Sequence, residues 1–483
     1  MYLALRIIEK LLIIYFTVYF VIDAAMFFYS LYVFFQKHHK KTENFDFDSH
    51  PVSIVVPAYN EEVSILTCIA MLEKLDYPQL EIIIVNDGST DATMDKLHDA
   101  YTLEKAEMEV NPVLNTAGVR DVFTVKGKNM LVIDKHNGGK ADAINTGINY
   151  AAGEFICTID ADSILDKDAL KEVVIPFLEN PAVIVSGGQL AVANGIKTVD
   201  NKIVSATLPS NIWVQWQIIE YIKSFLISRI ALSKINALLI MSGAFSLFRK
   251  KDLLQVGGFL SPYNNHFYIE KNIGSGKQTV CEDMEVVVRL WRYKYDNNIK
   301  AKAEFLPAPV CWTEVPDNPR NLYKQRLRWH QGLGETLWIH RNMIFEPRYR
   351  ITGLFGLPYY LFFEFLSPVV KIFTFFFIFA AAGYGIINTT WVLLLLVSVM
   401  LASAIIMSSI TAIVEYWSNK TAGASRQALR YKGFRDWLQL IAAGITAEFS
   451  YSFFKIIAQL HGILNIMQKK HDWRKFERKG VEV

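Results

Sequence analysis

Two carboxylates one residue apart, Asp160 and Asp162 in Thr158-Ile159-Asp160-Ala161-Asp162, are the side chains of this sequence best spaced to act together. They end an apolar run from Phe155 to Ile159 that reads as a short buried strand, and alternate residues of an extended segment face the same way. Convergent carboxylates suit a hard divalent ion, magnesium or manganese, that also holds substrate phosphates. Other chemistry-bearing residues accompany them. Asp87 follows a second apolar run, Leu80 to Val85, at a strand end where a nucleotide base or a metal would lie. Lys140 follows Gly138-Gly139, a pair that lets backbone approach a ligand, so its charge can reach a diphosphate; an ordinary surface lysine after a turn would read the same way. Glu282-Asp283 precedes a helical pattern, where a carboxylate serves as a cap or, at a cleft edge, as a catalytic base. Gln325, Arg328 and Trp329, spaced i, i+3, i+4, share one helix face. Arginine offers a fixed fork to phosphate oxygens and tryptophan a flat surface to a sugar ring.

The elements that must position these groups alternate strand and helix. Val52 to Pro57 reads as a strand that runs out into Ala58-Tyr59-Asn60-Glu61-Glu62, followed by a helix to about Leu75 and the strand Leu80 to Val85. Asn86 to Asp91 is then a turn, with Ser89 and Asp91 explained by capping of a helix at Ala92 to His98. Ala100 to Lys128 is polar and irregular, read as a helix and a surface excursion, before a strand at Leu131 to Ile133. Val183 to Gly188 is another strand, and Ile212 to Phe225 a helix whose aromatics read as core. Leu238 to Phe248 reads as a strand interrupted by Ser242-Gly243-Ala244, small residues that leave room for a ligand beside the backbone. Alternating strands and helices imply an α/β fold with a parallel sheet, whose ligands bind beyond the carboxyl ends of its strands.

The chain has 483 residues, of which 52% are apolar, and the excess lies at the two ends. A net charge of +3 argues against a nucleic-acid binder. Cys68, Cys157, Cys281 and Cys311 are too scattered for a zinc site or a disulfide framework and read as reduced thiols. Leu11 to Phe35 is long enough to span a bilayer, with Asp23 its one formal charge, and the basic run Lys37 to Lys41 places the downstream residues in the cytoplasm. Asp23 is either functional or turned towards another helix. Leu354 to Gly383 carries Pro358, Glu364 and Pro368 and reads as an interfacial helix before a span that begins near Val369. Trp391 to Val414 is a further span, then comes a basic loop to Arg435, and Trp437 to Met467 is apolar with an interfacial second half.

The ordered set Asp87, Asp160-x-Asp162, Glu282-Asp283 and Gln325-x-x-Arg328-Trp329 resembles the signature of processive membrane glycosyltransferases of family 2: the cellulose, hyaluronan and poly-N-acetylglucosamine synthases, the last most of all. The resemblance is close over Val52 to Gly332 and loose in the membrane parts. It implies a GT-A domain, a Rossmann-like α/β sandwich in the cytosol, flanked by transmembrane helices. The division is then residues 1–45 as anchor, 50–345 as GT-A domain, 349–470 as channel-forming interfacial and transmembrane helices, and 471–483 as a cytosolic tail. It further implies a multi-pass protein of the cell (inner) membrane and an inverting reaction with Mg2+ or Mn2+. By the same resemblance Tyr59, Glu61, Asp87, Lys140, Asp160 and Arg328 contact the nucleotide-sugar, and Asp162, with Asp160, binds the metal. Asp283, beside Glu282, is the base; Ser242, Gly243, Gln325 and Trp329 meet the acceptor; Trp473, Lys475 and Arg478 belong to a gating tail.

Two positions depart from the family pattern: Cys281 stands where a threonine is common, and Phe476 replaces the threonine of the tail motif. The implied donor is a UDP-sugar, with N-acetylglucosamine expected, and the acceptor a growing β-linked polysaccharide. Related synthases often work with a small membrane protein or a periplasmic exporter. A non-processive enzyme adding one sugar to a lipid is the alternative, and a transporter with a degenerate nucleotide domain is a third reading, opposed by the intact carboxylates.

Overall fold

A computed structural model describes residues 2–35, 45–108, 110–199, 202–385 and 434–468, with scattered positions between 390 and 431. Most of the expected span at 391–414, most of the basic loop after it and the tail motif lie outside the described residues.

Among the described residues, a ten-stranded sheet organises the α/β part. Its strands are β1 (Val52–Ala58), β2 (Leu80–Asn86), β3 (Leu103–Lys105), β4 (Val119–Val125), β5 (Met130–Lys135), β6 (Phe155–Thr158), β7 (Ile164–Leu165), β8 (Val183–Val192), β11 (Ser246–Arg249) and β12 (Lys302–Thr313). Between β8 and β11, β9 (Ile196–Val199) and β10 (Lys202–Ala206) form a separate hairpin. The sheet order is β3-β4-β5-β2-β1-β6-β11-β8-β12-β7. The block β5-β2-β1-β6 is parallel, so the carboxyl ends of four strands meet along one edge. Helices cover its faces, which is why Ile54, Val55, Ile83, Ile84, Val132 and Ile133 are all buried without alternation.

β11 runs antiparallel to β6 with Ser246 opposite Thr158. That reversal brings Ser242-Gly243-Ala244, just ahead of β11, to the edge where Asp160 leaves β6. The strand expected from Leu238 onward therefore starts only at Ser246; the residues before it are irregular loop. The stretch after Ala100 also differs from expectation, since β3 and β4 extend the sheet as antiparallel edge strands. Their short, polar sequences hide the alternation that would have announced them.

Among the described residues, two helices are long and apolar enough to cross a membrane, Leu3–Val33 and Phe434–Met467, and the pair Thr352–Phe365 and Ser367–Gly383, bent by 45°, would make a third. The bend falls at Leu366-Ser367-Pro368, as the proline there led one to expect. The N-terminal helix packs against the segment Lys223–Arg229: Ser30 Oγ donates to the Ile227 carbonyl, and Asp23 lies 3.8 Å from Lys223. Asp23 thus faces another helix rather than lipid.

Candidate active site

The loops beyond β1 and β2 are stitched to each other. Asn60, with φ +55°, accepts from the Thr90 N–H at 2.7 Å and donates its own N–H to Ser89 Oγ, while the Glu61 N–H donates to Thr93 Oγ1. Glu61 accepts from Ser64 Oγ at 2.7 Å, and Tyr59 is half-buried beside it.

Asp87 is turned into the protein. One of its oxygens accepts from Lys135 Nζ at 2.7 Å and from Gly138 N–H at 2.9 Å, the other from Gly139 N–H at 2.8 Å. Lys135 is fully buried and also holds Asp142 at 2.7 Å. Burial raises the pKa of Asp87, opposed by Lys135 and the two glycine N–H groups. These bonds shape Asn137-Gly138-Gly139, with Gly139 at φ +88°, and start the helix Lys140–Tyr150 so that Lys140 faces the strand ends.

Lys140 Nζ lies 2.5 Å from Asp160 and 3.4 Å from Glu282. Burial works against its charge, but Asp160, Glu282 and Asp283 outweigh it and hold its pKa above the ordinary value. Asp283 accepts from the Gly243 N–H at 2.9 Å with one oxygen and from the Met284 N–H at 2.9 Å with the other. Its pKa is raised by burial first and by Glu282 next, against Lys140, the Gly243 N–H and Arg229. A Cβ on Gly243 would stand 3.1 Å from Lys140 Nζ and 3.3 Å from an Asp283 oxygen, so only glycine fits there comfortably.

The helix Pro319–Ile339 joins this group to the membrane side. The helix Glu282–Asp296 is docked on one of its faces: Cys281 Sγ sits 3.8 Å and 3.9 Å from the carbonyls of Arg328 and Trp329, and a Cβ on Gly332 would run into that sulfur. Glu335 accepts from Thr279 Oγ1 and the Val280 N–H, both at 3.0 Å. Its other face carries the helix Ser452–Met467, where Gly462 nests against the Leu327 carbonyl and Tyr323 meets His461 at 3.0 Å.

Arg326, between Gln325 and Arg328 and outside the face those two share, is buried and holds Glu220 at 2.5 Å and the Tyr451 hydroxyl at 3.0 Å. Its guanidinium lies 4.2 Å from the Trp329 ring centroid, and Lys455 closes the group at 3.1 Å from Glu220. Neither Arg326 nor Glu220 was expected from the sequence; the available signal for Glu220 was a lone carboxylate among aromatics on a helix otherwise read as core.

A cavity of about 440 Å³ connects these parts. Its lining includes Lys140, Asp160, Glu282, Asp283, Ser242 and Gly243, then Gln325, Arg328 and Trp329, and also Tyr19, Asp23, Tyr360, Glu364 and Lys455 on the apolar helices. Tyr59, Glu61, Asp87 and Asp162 stand at the same strand ends outside it. Trp473, Lys475 and Arg478 lie outside the described residues.

No group of three or more His, Cys, Asp or Glu side chains that could hold a metal occurs among the described residues. The donor set at the end of β6 is two hard carboxylates, Asp160 exposed to the cavity beside Lys140 and Asp162 buried. Such an incomplete oxygen shell fits magnesium or manganese, which take one or two carboxylates and complete themselves with water and substrate phosphates.

Residues 53–257 match the model described as glycosyl transferase family 2. The chain carries a family 2 glycosyltransferase domain. The poly-beta-1,6-N-acetyl-D-glucosamine synthase of Staphylococcus epidermidis is 28% identical over 289 residues, 59% of this chain and 55% of that one. The synthase of the same name from Staphylococcus aureus is 26% identical over 330 residues, 67% and 64% of the two chains. The chain therefore spans less than two thirds of the length of either relative. Among solved structures, the mannosyltransferase PcManGT from Pyrobaculum calidifontis, in complex with GDP-Man and Mn2+, superposes with a TM-score of 0.54 at 17% identity, covering 96% of this chain and 99% of that one. That likeness shows the fold: the family 2 domain is GT-A-like, a mixed α/β sheet, with apolar helices placed to flank it in a membrane.

Proposed function

We propose that the chain transfers a sugar from a UDP-sugar, with N-acetylglucosamine favoured, to a growing β-linked polysaccharide with inversion, and moves the product across the membrane. The observation that carries this reading is that one cavity is lined by Lys140, Asp160 and Asp283, by Trp329 and by polar side chains on the apolar helices. A soluble acceptor would need no such extension.

In this reading the acceptor hydroxyl gives its proton to an Asp283 oxygen as its own oxygen attacks the anomeric carbon, and UDP leaves on the opposite face. The buried Asp283 carboxylate, its pKa raised by burial and by Glu282, is a stronger base than an exposed aspartate, and the Gly243 N–H fixes its orientation. Lys140 and Arg328 take up negative charge on the departing diphosphate. A divalent ion, Mg2+ or Mn2+, held by Asp162 with Asp160 would supply further charge neutralisation there. Tyr59 and Glu61 then border the nucleotide base, with Asp87 holding the loop that presents Lys140. Trp329, Gln325 and Ser242 border the acceptor. The division into anchor, catalytic domain and channel helices, with the catalytic domain on the cytoplasmic face of a multi-pass cell-membrane protein, is supported by the basic run after the first helix. A small membrane or periplasmic accessory subunit fits the same reading.

The test is turnover of purified chain in lipid nanodiscs, with Mg2+ or Mn2+ and a panel of UDP-sugars, reading UDP release and the size of radiolabelled product. High-molecular-weight product from UDP-N-acetylglucosamine is expected. Label confined to a lipid-sized species would replace the polysaccharide by a glycolipid acceptor, and UDP release with no acceptor-linked product would overturn both.

A further inference from the structure

Arg229 is a cation that the transfer reaction so far leaves idle. It closes the π-helical segment Lys223–Arg229, which continues the helix Ile212–Ile222, and it lines the same cavity as Asp283 and Trp329. Its guanidinium lies 4.2 Å from the ring centroid of Phe225, and its Nη1 is shielded from solvent and makes no hydrogen bond among the described residues. Two more deeply buried arginines are different: Arg289 holds Glu285 at 2.7 Å and Arg326 holds Glu220 at 2.5 Å. An idle buried donor is costly to maintain, so its retention points to a partner that arrives with a ligand.

The surroundings say which ligand. The charged and phenolic groups around Arg229 are Asp283, Tyr221 and Tyr360; those around Lys140 are Asp160, Glu282 and Asp283. Asp283 thus feels both cations, and all three side chains line the same cavity. An aromatic wall continues from Phe225 to Tyr221, 5.3 Å between ring centroids, and from Tyr221 to Trp329, 6.5 Å. Aromatic faces with one fixed, forked donor among them fit a sugar ring, whose hydroxyls and amide carbonyl accept hydrogen bonds.

We propose that Arg229 binds the acceptor: its guanidinium donates to a neutral oxygen, hydroxyl or amide carbonyl, of the terminal acceptor sugar and so turns the attacking hydroxyl towards Asp283. This rests on the reading of the cavity as a sugar-transfer site.

The experiment uses the full chain in nanodiscs as wild type, Arg229→Met and Arg229→Lys. Short β-linked disaccharides of N-acetylglucosamine and of glucose serve as added acceptors, and UDP binding is followed by calorimetry. Arg229→Met should raise the acceptor KM about 10- to 100-fold while the Kd for UDP stays within about twofold, and Arg229→Lys should recover only part of the loss. A loss confined to the N-acetylated disaccharide assigns the contact to the amide carbonyl; equal loss for both assigns it to a hydroxyl. An acceptor KM unchanged in both variants overturns the proposal, and so does a UDP Kd that rises in step with KM, since Arg229 would then serve the diphosphate. If Arg229→Met does not fold, the Lys variant is judged by the same pair of constants. Wild type that transfers no sugar defeats the functional reading instead, and calorimetric binding of the disaccharides to wild type and variants then judges Arg229 separately.

Discussion

Lys135 and Lys140 stand five residues apart, and each gathers two carboxylates. Lys135 holds Asp87 and Asp142, both at 2.7 Å, with all three side chains nearly inaccessible. Lys140 holds Asp160 at 2.5 Å and Glu282 at 3.4 Å in a group open to a cavity. The first set is closed: the Asp87 oxygens are used by Lys135 and by two backbone N–H groups, and the result is a loop of fixed shape. The second has Asp283 beside it with a raised pKa and room for a ligand. The same residue types are therefore closed into a scaffold or left open to a ligand according to whether protein groups already fill their hydrogen-bonding capacity.

The largest effect should come from the open group. Asp283→Asn is expected to lower transfer by about 10²- to 10⁴-fold with UDP affinity unchanged. A carboxyl whose folded-state pKa exceeds its unfolded value costs stability above that unfolded value, so this variant should not lower the melting temperature. Single-turnover transfer and thermal unfolding, run on the same preparation, check both parts.

Asp87→Ala should do the reverse. Leaving Lys135 and two glycine N–H groups short of a partner should cost about 3–5 kcal/mol of stability, seen as a lower unfolding midpoint. Asp160→Ala, in the open group, should leave the midpoint nearly in place. A variant pair that behaved alike would erase the distinction between the two groups.

Gly243→Ala probes the joint at 3.1 Å and 3.3 Å between Lys140 and Asp283. Displacing either by a few tenths of an ångström should reduce kcat by about tenfold with little change in KM for the donor. Steady-state kinetics with varied donor would reveal it.

The pH profile offers a smaller, directional test. Burial and Glu282 raise the Asp283 pKa, so the acid limb of kcat/KM should lie above the ordinary carboxylate range, and Glu282→Gln should move it to lower pH. Smallest of all, Cys281→Thr should alter stability by about 1 kcal/mol or less, because a hydroxyl can take the place of the thiol against the Arg328 and Trp329 carbonyls. Its unfolding midpoint, compared with that of wild type, checks this.

Much of the fold was legible in the residues. The run β1–helix–β2, the strand before Asp160-x-Asp162, the helical start at Glu282 and the shared face of Gln325, Arg328 and Trp329 come from local pattern. So does the broken apolar segment at Pro368. The antiparallel edge strands β3 and β4 did not show, because short exposed strands carry little alternation. Nor did the late start of β11, where apolar loop residues pack under the site and imitate a strand. Lys135, Asp142, Glu220, Arg229 and Arg326 were missed for one reason: their surroundings are built from residues distant in sequence, Glu220 and Tyr451 being 231 residues apart.

By itself the sequence determined the α/β alternation, the apolar ends and which chemical groups stand at strand ends, because those depend on neighbours within a few residues. Only the tertiary structure decided that Asp87 is filled by Lys135, Gly138 and Gly139 while Asp283 faces a cavity. It also decided that Arg326 is paired while Arg229 has a donor with no hydrogen bond among the described residues. Hydrogen-bond saturation is a property of packed surroundings, and those surroundings are assembled from segments that the chain order keeps far apart.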